Sequence, residues 1–233
     1  MLLFSPAGKS ASWGLPVEIA ENIIDFLNED STTLSTFSLS CRALLPRSRL
    51  HLFAHIRIST IEQMRSASQF LDGRPWLHQL VQRVTTTTEL GGRAPYATLE
   101  VVPIPLLKRL PNLYEWRIID TCTDEAAKRQ YSPHPLTLSG FRHHGIKIQC
   151  LTINGLEFPS IADLGRLLLA FPGLRRFQCQ GCKNNGKVPK KPVDKVLRRR
   201  LIPQFRLLKH LVVSSTYPSW STRSGIILNH TTT

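Results

Sequence analysis

The chain has 233 residues, of which 42% are hydrophobic, and its formal net charge at pH 7 is +14. This size allows one or two domains with a real hydrophobic core, and no apolar run approaches the roughly 18 residues that a membrane-spanning helix needs. The five cysteines are irregularly spaced, and the first residues lack the charged lead of a secretory signal. We therefore expect a soluble protein of the cytoplasm or nucleus, with reduced thiols and no membrane partner.

Residues 15–53 carry apolar side chains at helical spacing. Pro16 suits the first turn of a helix, because the N–H that it lacks would have no helical partner there. Three apolar residues then recur at intervals of four: Ile19, Ile23 and Leu27. Asp30 or Ser31 is a good N-cap for a second helix, and a third, irregular helix follows. The simplest interpretation of such a segment is an ordinary three-helix core.

A short pattern recurs along the rest of the chain: an apolar residue, two variable residues, an apolar residue, one variable residue and an apolar residue. Clear copies begin at Leu113, Ile148, Leu174 and Leu208, and a looser copy begins at Val81. The starts of the four clear copies are 35, 26 and 34 residues apart. The last two apolar positions of each copy alternate as in a strand with one buried face, so a strand is predicted at each copy.

Helical signals lie between these predicted strands. Ser160 is an N-cap candidate with Asp163 three residues later, and the apolar stripe that follows ends at Pro172-Gly173. Shorter helices are predicted at 106–110 and 205–208. Helices that alternate with strands in repeated units predict a short, irregular, leucine-rich-repeat-like α/β solenoid. The alternative is an ordinary α/β domain.

The N-terminal segment resembles a known module. The run Leu15-Pro16-x-Glu18, the isoleucine stripe and the run Ser38-Leu39-x-Cys41-Arg42 are together similar to an F-box, the three-helix module that binds the Skp adaptor of cullin–RING ubiquitin ligases. The run PRSRLHLF that follows is similar to the continuation in fungal F-box proteins of the mushroom group, which typically continue into degenerate leucine-rich repeats. The resemblance implies an F-box-like helical domain at 12–58, a repeat domain at 59–214 and a poorly ordered tail at 215–233.

The resemblance also implies a function and the residues that serve it. The chain would be a non-catalytic substrate receptor that binds the Skp adaptor, through it a cullin, and a target protein. Five residues would face the adaptor: Leu15, Pro16, Ile19, Ile23 and Leu34. Three would be internal: Leu27, Phe37 and Leu39. By analogy, five strand residues would face the target: Glu115, Arg117, Thr152, Gln178 and Gln180. An alternative is an adaptor-bound scaffold outside any ligase.

The positive charge is concentrated in one part of the chain. Residues 166–210 hold thirteen basic side chains and one acidic side chain. Within them, 183–200 has the composition of a loop inserted between repeats, with a basic patch at Lys190, Lys191, Arg198, Arg199 and Arg200. The patch allows nucleic-acid or acidic-partner binding as an alternative function, and its ordinary interpretation is a solvated disordered loop. The segment lacks aromatic residues that stack on bases, so nucleic-acid binding is the less favoured.

Catalytic and metal-binding patterns are missing from the sequence. The histidines are scattered, and no nucleophile elbow or phosphate-binding loop is present. Cys179 and Cys182 form a CxxC, but a zinc site needs a second pair of ligands, and His143, His144 and Cys150 do not define one. We therefore expect two reduced thiols at the end of a strand and no cofactor, metal or catalytic residue in this chain.

Overall fold

The computed structural model describes residues 16–28, 30–40, 42–88, 96–101, 103–122, 130–184 and 208–214. The chain divides into two compact units, residues 1–54 and residues 55–233. None of the helices in these described ranges is both long enough and apolar enough to span a membrane. The fold combines helices with a parallel β-sheet, which agrees with the predicted mixture of α and β elements.

The first unit consists of helices α1 (Val17–Phe26), α2 (Ser31–Ser40) and α3 (Leu45–Ala54). Pro16 stands at the N-cap of α1, one residue before the first turn that the sequence predicts for it. The Asp30 carboxylate accepts hydrogen bonds from the backbone N–H groups of Thr32 and Thr33, at 3.1 and 3.0 Å. These bonds occupy donors that would otherwise be unpaired in the first turn of α2, so Asp30 is the N-cap of this helix.

The core of the first unit is small. Ile24 of α1, Leu34 of α2 and Leu44 form its buried centre. Partly buried side chains pack around them: Ala20, Leu27, Phe37 and Leu52. Since so few side chains are enclosed, much of the apolar surface of the helices remains outside this core.

The second unit contains a six-stranded sheet in the order β1-β2-β3-β4-β6-β8, in which all neighbours are parallel. Its strands are β1 (His55–Ile58), β2 (Arg83–Thr87), β3 (Glu115–Ile119), β4 (Cys150–Asn154), β6 (Arg176–Gln180) and β8 (His210–Ser214). The short strands β5 (Glu157–Phe158) and β7 (Lys183–Asn184) pair separately. The helices of this unit are α4 (Ile61–Asp72), α5 (Ala97–Val101), α6 (Pro103–Arg109), α7 (Pro135–His144) and α8 (Ile161–Leu169), with 3-10 helices at Pro75–Gln79 and Gly145–Lys147.

In all five copies of the recurring apolar pattern the last two apolar positions fall in strands of this sheet, so these strand predictions are confirmed. Ser160 is the N-cap of α8 and accepts a hydrogen bond from the Asp163 N–H, also as predicted. The edge strand β1 was not predicted. Because His55–Ile58 pairs with β2, the helical unit ends at Ala54, four residues before the predicted boundary at 58. The predicted tail at 215–233 lies outside the described residues, and so does the predicted helix at 205–208 except for Leu208.

One face of the sheet is covered by the core of the second unit. Trp116 of β3 is buried and makes edge-to-face contacts with Phe141 of α7 and Phe171, with ring centroids 5.1 and 5.6 Å apart. Its indole N–H donates to the Thr86 hydroxyl of β2 at 2.9 Å. In-register pairing sets Trp116 beside Leu151, and Leu151 beside Phe177, so the buried residues form continuous rows across the strands. The alternate positions form rows on the opposite face.

Candidate functional site

Helix α1 is apolar on two sides. Its inward stripe packs on the core of the first unit and consists of Ala20, Ile24 and Leu27. A second stripe, at the i, i+4 and i+7 positions, consists of Ile19, Ile23 and Phe26, whose exposed fractions are 45%, 41% and 89%. A helix on the surface of a self-contained domain normally carries polar residues on this side. We call the second stripe the outer face of α1.

The predicted adaptor-facing residues fall into three groups in the structure. Pro16, Ile19 and Ile23 are exposed, and the structure brings them onto one side of α1, from its N-cap to its third turn. Leu15 lies outside the described residues. Leu34 differs from the prediction because only 1% of it is exposed: it lies in the core between Ile24 and Leu44 and offers no surface to a partner in this conformation.

The residues predicted to be internal also divide. Leu27 and Phe37 pack against the core, in agreement with the prediction. Leu39 does not, since 87% of it is exposed near the end of α2. Leu34 and Leu39 are five positions apart, which is about 500° of helical rotation or 140° around the axis, so they point to different sides of α2. The apolar pattern of α2 includes both Leu34 and Leu39, but it does not indicate which side of the helix faces the core.

Phe26 was not among the predicted site residues. The signal that would have identified it is its spacing, three residues after Ile23 and seven after Ile19, which continues the outer face into the last turn of α1. Val17 is also exposed, but it lies about 160° around the helix axis from Ile19 and is not part of the outer face. The outer face therefore extends from Ile19 to Phe26.

A polar cluster holds α1 on α3. Arg47 donates from Nε to Asp25 Oδ1 at 2.6 Å and from Nη2 to Asp25 Oδ2, and His51 Nε2 lies 2.8 Å from Oδ1. Hydrogen bonds from Arg47 and then from His51 lower the pKa of the Asp25 carboxyl from 3.8 to about 2. Asp25 is therefore ionised at neutral pH, and the cluster fixes the orientation of α1 and of its outer face relative to α3.

The residues predicted to face a target lie on the side of the sheet opposite Trp116, which we call the open face, although Thr85 and Thr87 of β2 are buried there. Arg117, Thr152 and Gln178 are register partners on neighbouring strands. Glu115 and Gln180 lie two residues away along β3 and β6, which sets them on the same face. The structure thus brings all five together on one surface.

The CxxC motif differs from its prediction. Cys179 and Cys182 are joined by a disulfide, with their Cα atoms 6.1 Å apart. Gly181, with a φ of +60°, turns the chain after β6 and allows this approach. Within the described part of the chain, no group of three or more His, Cys, Asp or Glu side chains is arranged to hold a metal ion. The basic patch at Lys190, Lys191, Arg198, Arg199 and Arg200 lies outside the described residues.

Comparisons with protein-family models, with curated proteins and with solved structures found no match to this chain. The features that bear on function are therefore the outer face of α1 and the open face of the sheet.

Proposed function

We propose that this protein is a substrate-receptor subunit of a cullin–RING ubiquitin ligase, which binds a Skp-type adaptor through its N-terminal helices and a target protein through its sheet domain. The observation that carries the proposal is the outer face of α1. Ile19, Ile23 and Phe26 leave an apolar stripe in water on a helix that already packs a neighbouring stripe, about 100° around its axis, on the core. Such a stripe is typical of a surface that a partner covers.

The arrangement of the three helices supports the assignment of the first unit as an F-box. The F-box-like sequence runs supply α1 and α2, and they enclose a core centred on Ile24, Leu34 and Leu44. The adaptor-binding residues in this proposal are Pro16, Ile19, Ile23 and Phe26, with Leu15 immediately before them in the chain. Leu34 acts from inside by supporting α1 through its contact with the core.

The second unit is, in this proposal, a short and irregular leucine-rich-repeat-like solenoid. Two features support it. Neighbouring strands of the six-stranded sheet follow one another in chain order, and register partners are 28, 32, 35, 26 and 34 residues apart along the chain. Each of the first four connections contains an α-helix. One strand and one helix per unit, stacked on the next unit, is the construction of a solenoid.

The energy available from the outer face is sufficient for a specific contact. Complete burial of a large apolar side chain stabilises by about 1.5–3 kcal/mol, so covering the half-exposed Ile19 and Ile23 contributes about 1 kcal/mol each, and covering Phe26 about 2 kcal/mol. These gains must exceed the loss of rotational and translational freedom on association. Contacts outside this stripe are therefore part of the complete interface.

The chain itself would contribute no catalytic group. Its role would be proximity: an adaptor-bound receptor raises the local concentration of target lysines near a ubiquitin-conjugating enzyme carried elsewhere in the complex. This proposal includes a location in the cytoplasm or nucleus, where such ligases work.

The test is co-expression of the full chain with a fungal Skp adaptor, followed by size-exclusion chromatography. The wild-type chain is expected to elute with the adaptor, and the double variant Ile19→Asp/Ile23→Asp is expected to elute apart from it. The matched control is Leu136→Asp/Ile146→Asp, which adds the same charges at two exposed apolar positions of the second unit. A wild-type chain that never elutes with the adaptor would overturn the proposal.

A further inference from the structure

We infer that Cys179 and Cys182 are a redox-active pair, which exchanges between a disulfide and two thiols with a dithiol as the reacting partner. Cys182 is the sulfur at which this exchange begins. The inference goes beyond the proposed function, because the exchange chemistry requires neither the adaptor nor a target protein.

The two sulfur atoms of the disulfide differ in their exposure to solvent. Cys179 belongs to β6 and is only 3% exposed, with its buried register partner Ile153 beside it. Cys182 follows the turn at Gly181 and is partly exposed. Thiol–disulfide exchange depends on the access of the attacking thiolate to the sulfur that it attacks. An incoming thiolate therefore reaches Cys182 Sγ and displaces Cys179 Sγ.

The fold accommodates the reduced pair as well as the disulfide. The Cys182 sulfur lies 3.7 Å from the Ile153 carbonyl oxygen and 3.8 Å from the Gln180 carbonyl oxygen, so a thiol at this position has acceptors for its S–H group. Cys179 lies in one row with Ile118 and Ile153, where a protonated thiol packs as a small apolar side chain. Both sulfur atoms thus have a suitable environment after reduction.

The six-stranded sheet does not depend on the disulfide. The two cysteines are only three positions apart, and a cross-link over a short loop restricts the unfolded chain less than a cross-link over a long loop. Strand β6 is held independently, by in-register pairing with β4 and with β8. Inside the motif, the Gln180 carbonyl oxygen accepts a hydrogen bond from the Gly155 N–H at 2.9 Å. The chain therefore stays folded when the disulfide is reduced.

The exchange proceeds in two steps. One thiolate of the dithiol attacks Cys182 Sγ, so a mixed disulfide forms at Cys182, the bond to Cys179 breaks, and the displaced Cys179 thiolate takes a proton from water. The second thiolate of the dithiol then attacks the dithiol sulfur that is bonded to Cys182. This step closes the disulfide of the dithiol and releases the Cys182 thiolate, which is protonated in turn. The cysteine pair gains two electrons and two protons, and the dithiol loses the same number.

The location in the proposed function gives this pair a role. Disulfides of cytoplasmic and nuclear proteins are rare and are usually transient, catalytic or redox-sensing, because glutathione and thioredoxin keep thiols reduced there. A reactive cysteine that is accessible and lies next to a second, resolving cysteine is typical of a redox sensor. The inference uses the proposed function in this step alone.

The test is a redox titration of the full chain in mixtures of reduced and oxidised dithiothreitol. N-ethylmaleimide in urea traps all thiols, and trypsin then releases both cysteines in one peptide, FQCQGCK, because Arg176 precedes it and Lys183 ends it. We expect a single transition in which this peptide passes from the disulfide form to a form with two alkylated cysteines. Circular dichroism of the fully reduced chain is expected to match that of the oxidised chain.

Two single variants identify the reactive sulfur. Cys179→Ser keeps Cys182 alone, and Cys182→Ser keeps Cys179 alone. When oxidised glutathione is added to the folded chains, we expect Cys182 in the first variant to form a mixed disulfide at least about tenfold faster than Cys179 in the second, because it is more accessible. The matched control is Cys122→Ser/Cys150→Ser, which removes two cysteines outside the motif and should leave the titration unchanged.

Three results would overturn the inference: the peptide keeps both thiols at every ratio of the dithiol, the disulfide is reduced only when the chain unfolds, or Cys179 reacts with glutathione as fast as Cys182. All of these measurements are made without the adaptor. A chain that titrates but does not elute with the adaptor contradicts the receptor proposal alone. A chain that elutes with the adaptor but does not titrate contradicts the redox inference alone.

Discussion

Arg47 and Asp25 form a two-pronged hydrogen-bonded ion pair between α3 and α1, in which Nε and Nη2 of the arginine each donate to one carboxylate oxygen. His51, one turn further along α3, contacts the same carboxylate. The two residues are 22 positions apart in the sequence, so the ion pair connects two separate helices. It therefore holds the helix that presents the outer face.

The first prediction concerns the pH dependence of the first unit. The pKa of Asp25 is about 2 in the folded chain and 3.8 in its ordinary state, so the ionised carboxylate favours the folded state. This contribution is complete above pH 3.8, decreases as the pH falls toward 2, and is lost below it. Asp25→Asn should therefore lower the melting temperature at neutral pH and flatten its decrease between pH 4 and pH 2.

Glu18→Gln is the control for this prediction, because it removes an exposed carboxylate from the same helix. The measurement is thermal unfolding followed by circular dichroism across the acidic range. Parallel curves for wild type and Asp25→Asn between pH 4 and pH 2 would contradict the role of the ion pair.

The second prediction concerns the buried hydrogen bond between Trp116 and Thr86. Thr86→Val removes the acceptor and leaves the indole N–H unpaired in a dry core, which should lower the free energy of unfolding by about 1–3 kcal/mol. Thr152→Val, at a half-exposed strand position, should change it by less than about 0.5 kcal/mol. Urea denaturation measures both, and equal losses would show that the hydrogen bond is not the cause.

The third prediction compares two glycines. A Cβ on Gly173 would lie 2.1 Å from the Ile146 carbonyl oxygen, a backbone atom that cannot turn away, whereas a Cβ on Gly73 would meet nothing closer than 3.7 Å. Gly173→Ala should therefore lower the free energy of unfolding by about 1–3 kcal/mol or more.

Gly73→Ala should leave the stability unchanged or raise it by up to about 1 kcal/mol, because alanine restricts the unfolded chain and Gly73 has a right-handed helical conformation. Chemical denaturation of the two variants side by side checks the contrast. A Gly173→Ala variant as stable as Gly73→Ala would contradict the close packing of the 173 turn on Ile146.

The fourth prediction concerns the beginning of α8. The Ser160 hydroxyl accepts from the Asp163 N–H at 3.2 Å and lies 2.6 Å from Asp163 Oδ2, so its loss leaves a helix donor without its cap. Ser160→Ala should lower the free energy of unfolding by about 0.5–2 kcal/mol. Ser66→Ala, at an exposed position inside α4, should be neutral or slightly stabilising because alanine is the better helix former. Guanidinium denaturation distinguishes the two outcomes.

The strands were predictable because their signal is local and repeated. Each copy of the apolar pattern specifies two alternate positions that need cover, and the similar spacing of Leu113, Ile148 and Leu174 predicts equivalent strands. Ser160 was predictable for the same reason, since a cap acts within its own turn. Strand β1 was missed although Phe53, Ile56 and Ile58 form a complete copy of the pattern, because Phe53 is also the last apolar residue of the helical segment and the strand follows directly on α3.

The sequence indicated which residues belong to the candidate sites, but not which of their side chains are buried and which are exposed. The sequence by itself determined that helices with apolar stripes precede the strands, that strands recur after them, and which residues share each face of a strand, because these properties depend on the spacing of neighbours along the chain. Only the tertiary structure decided that Leu34 is enclosed while Leu39 and Phe26 are exposed, and that Cys179 meets Cys182. The physical reason is that burial and clustering depend on which distant segments pack together, and local periodicity does not specify that choice.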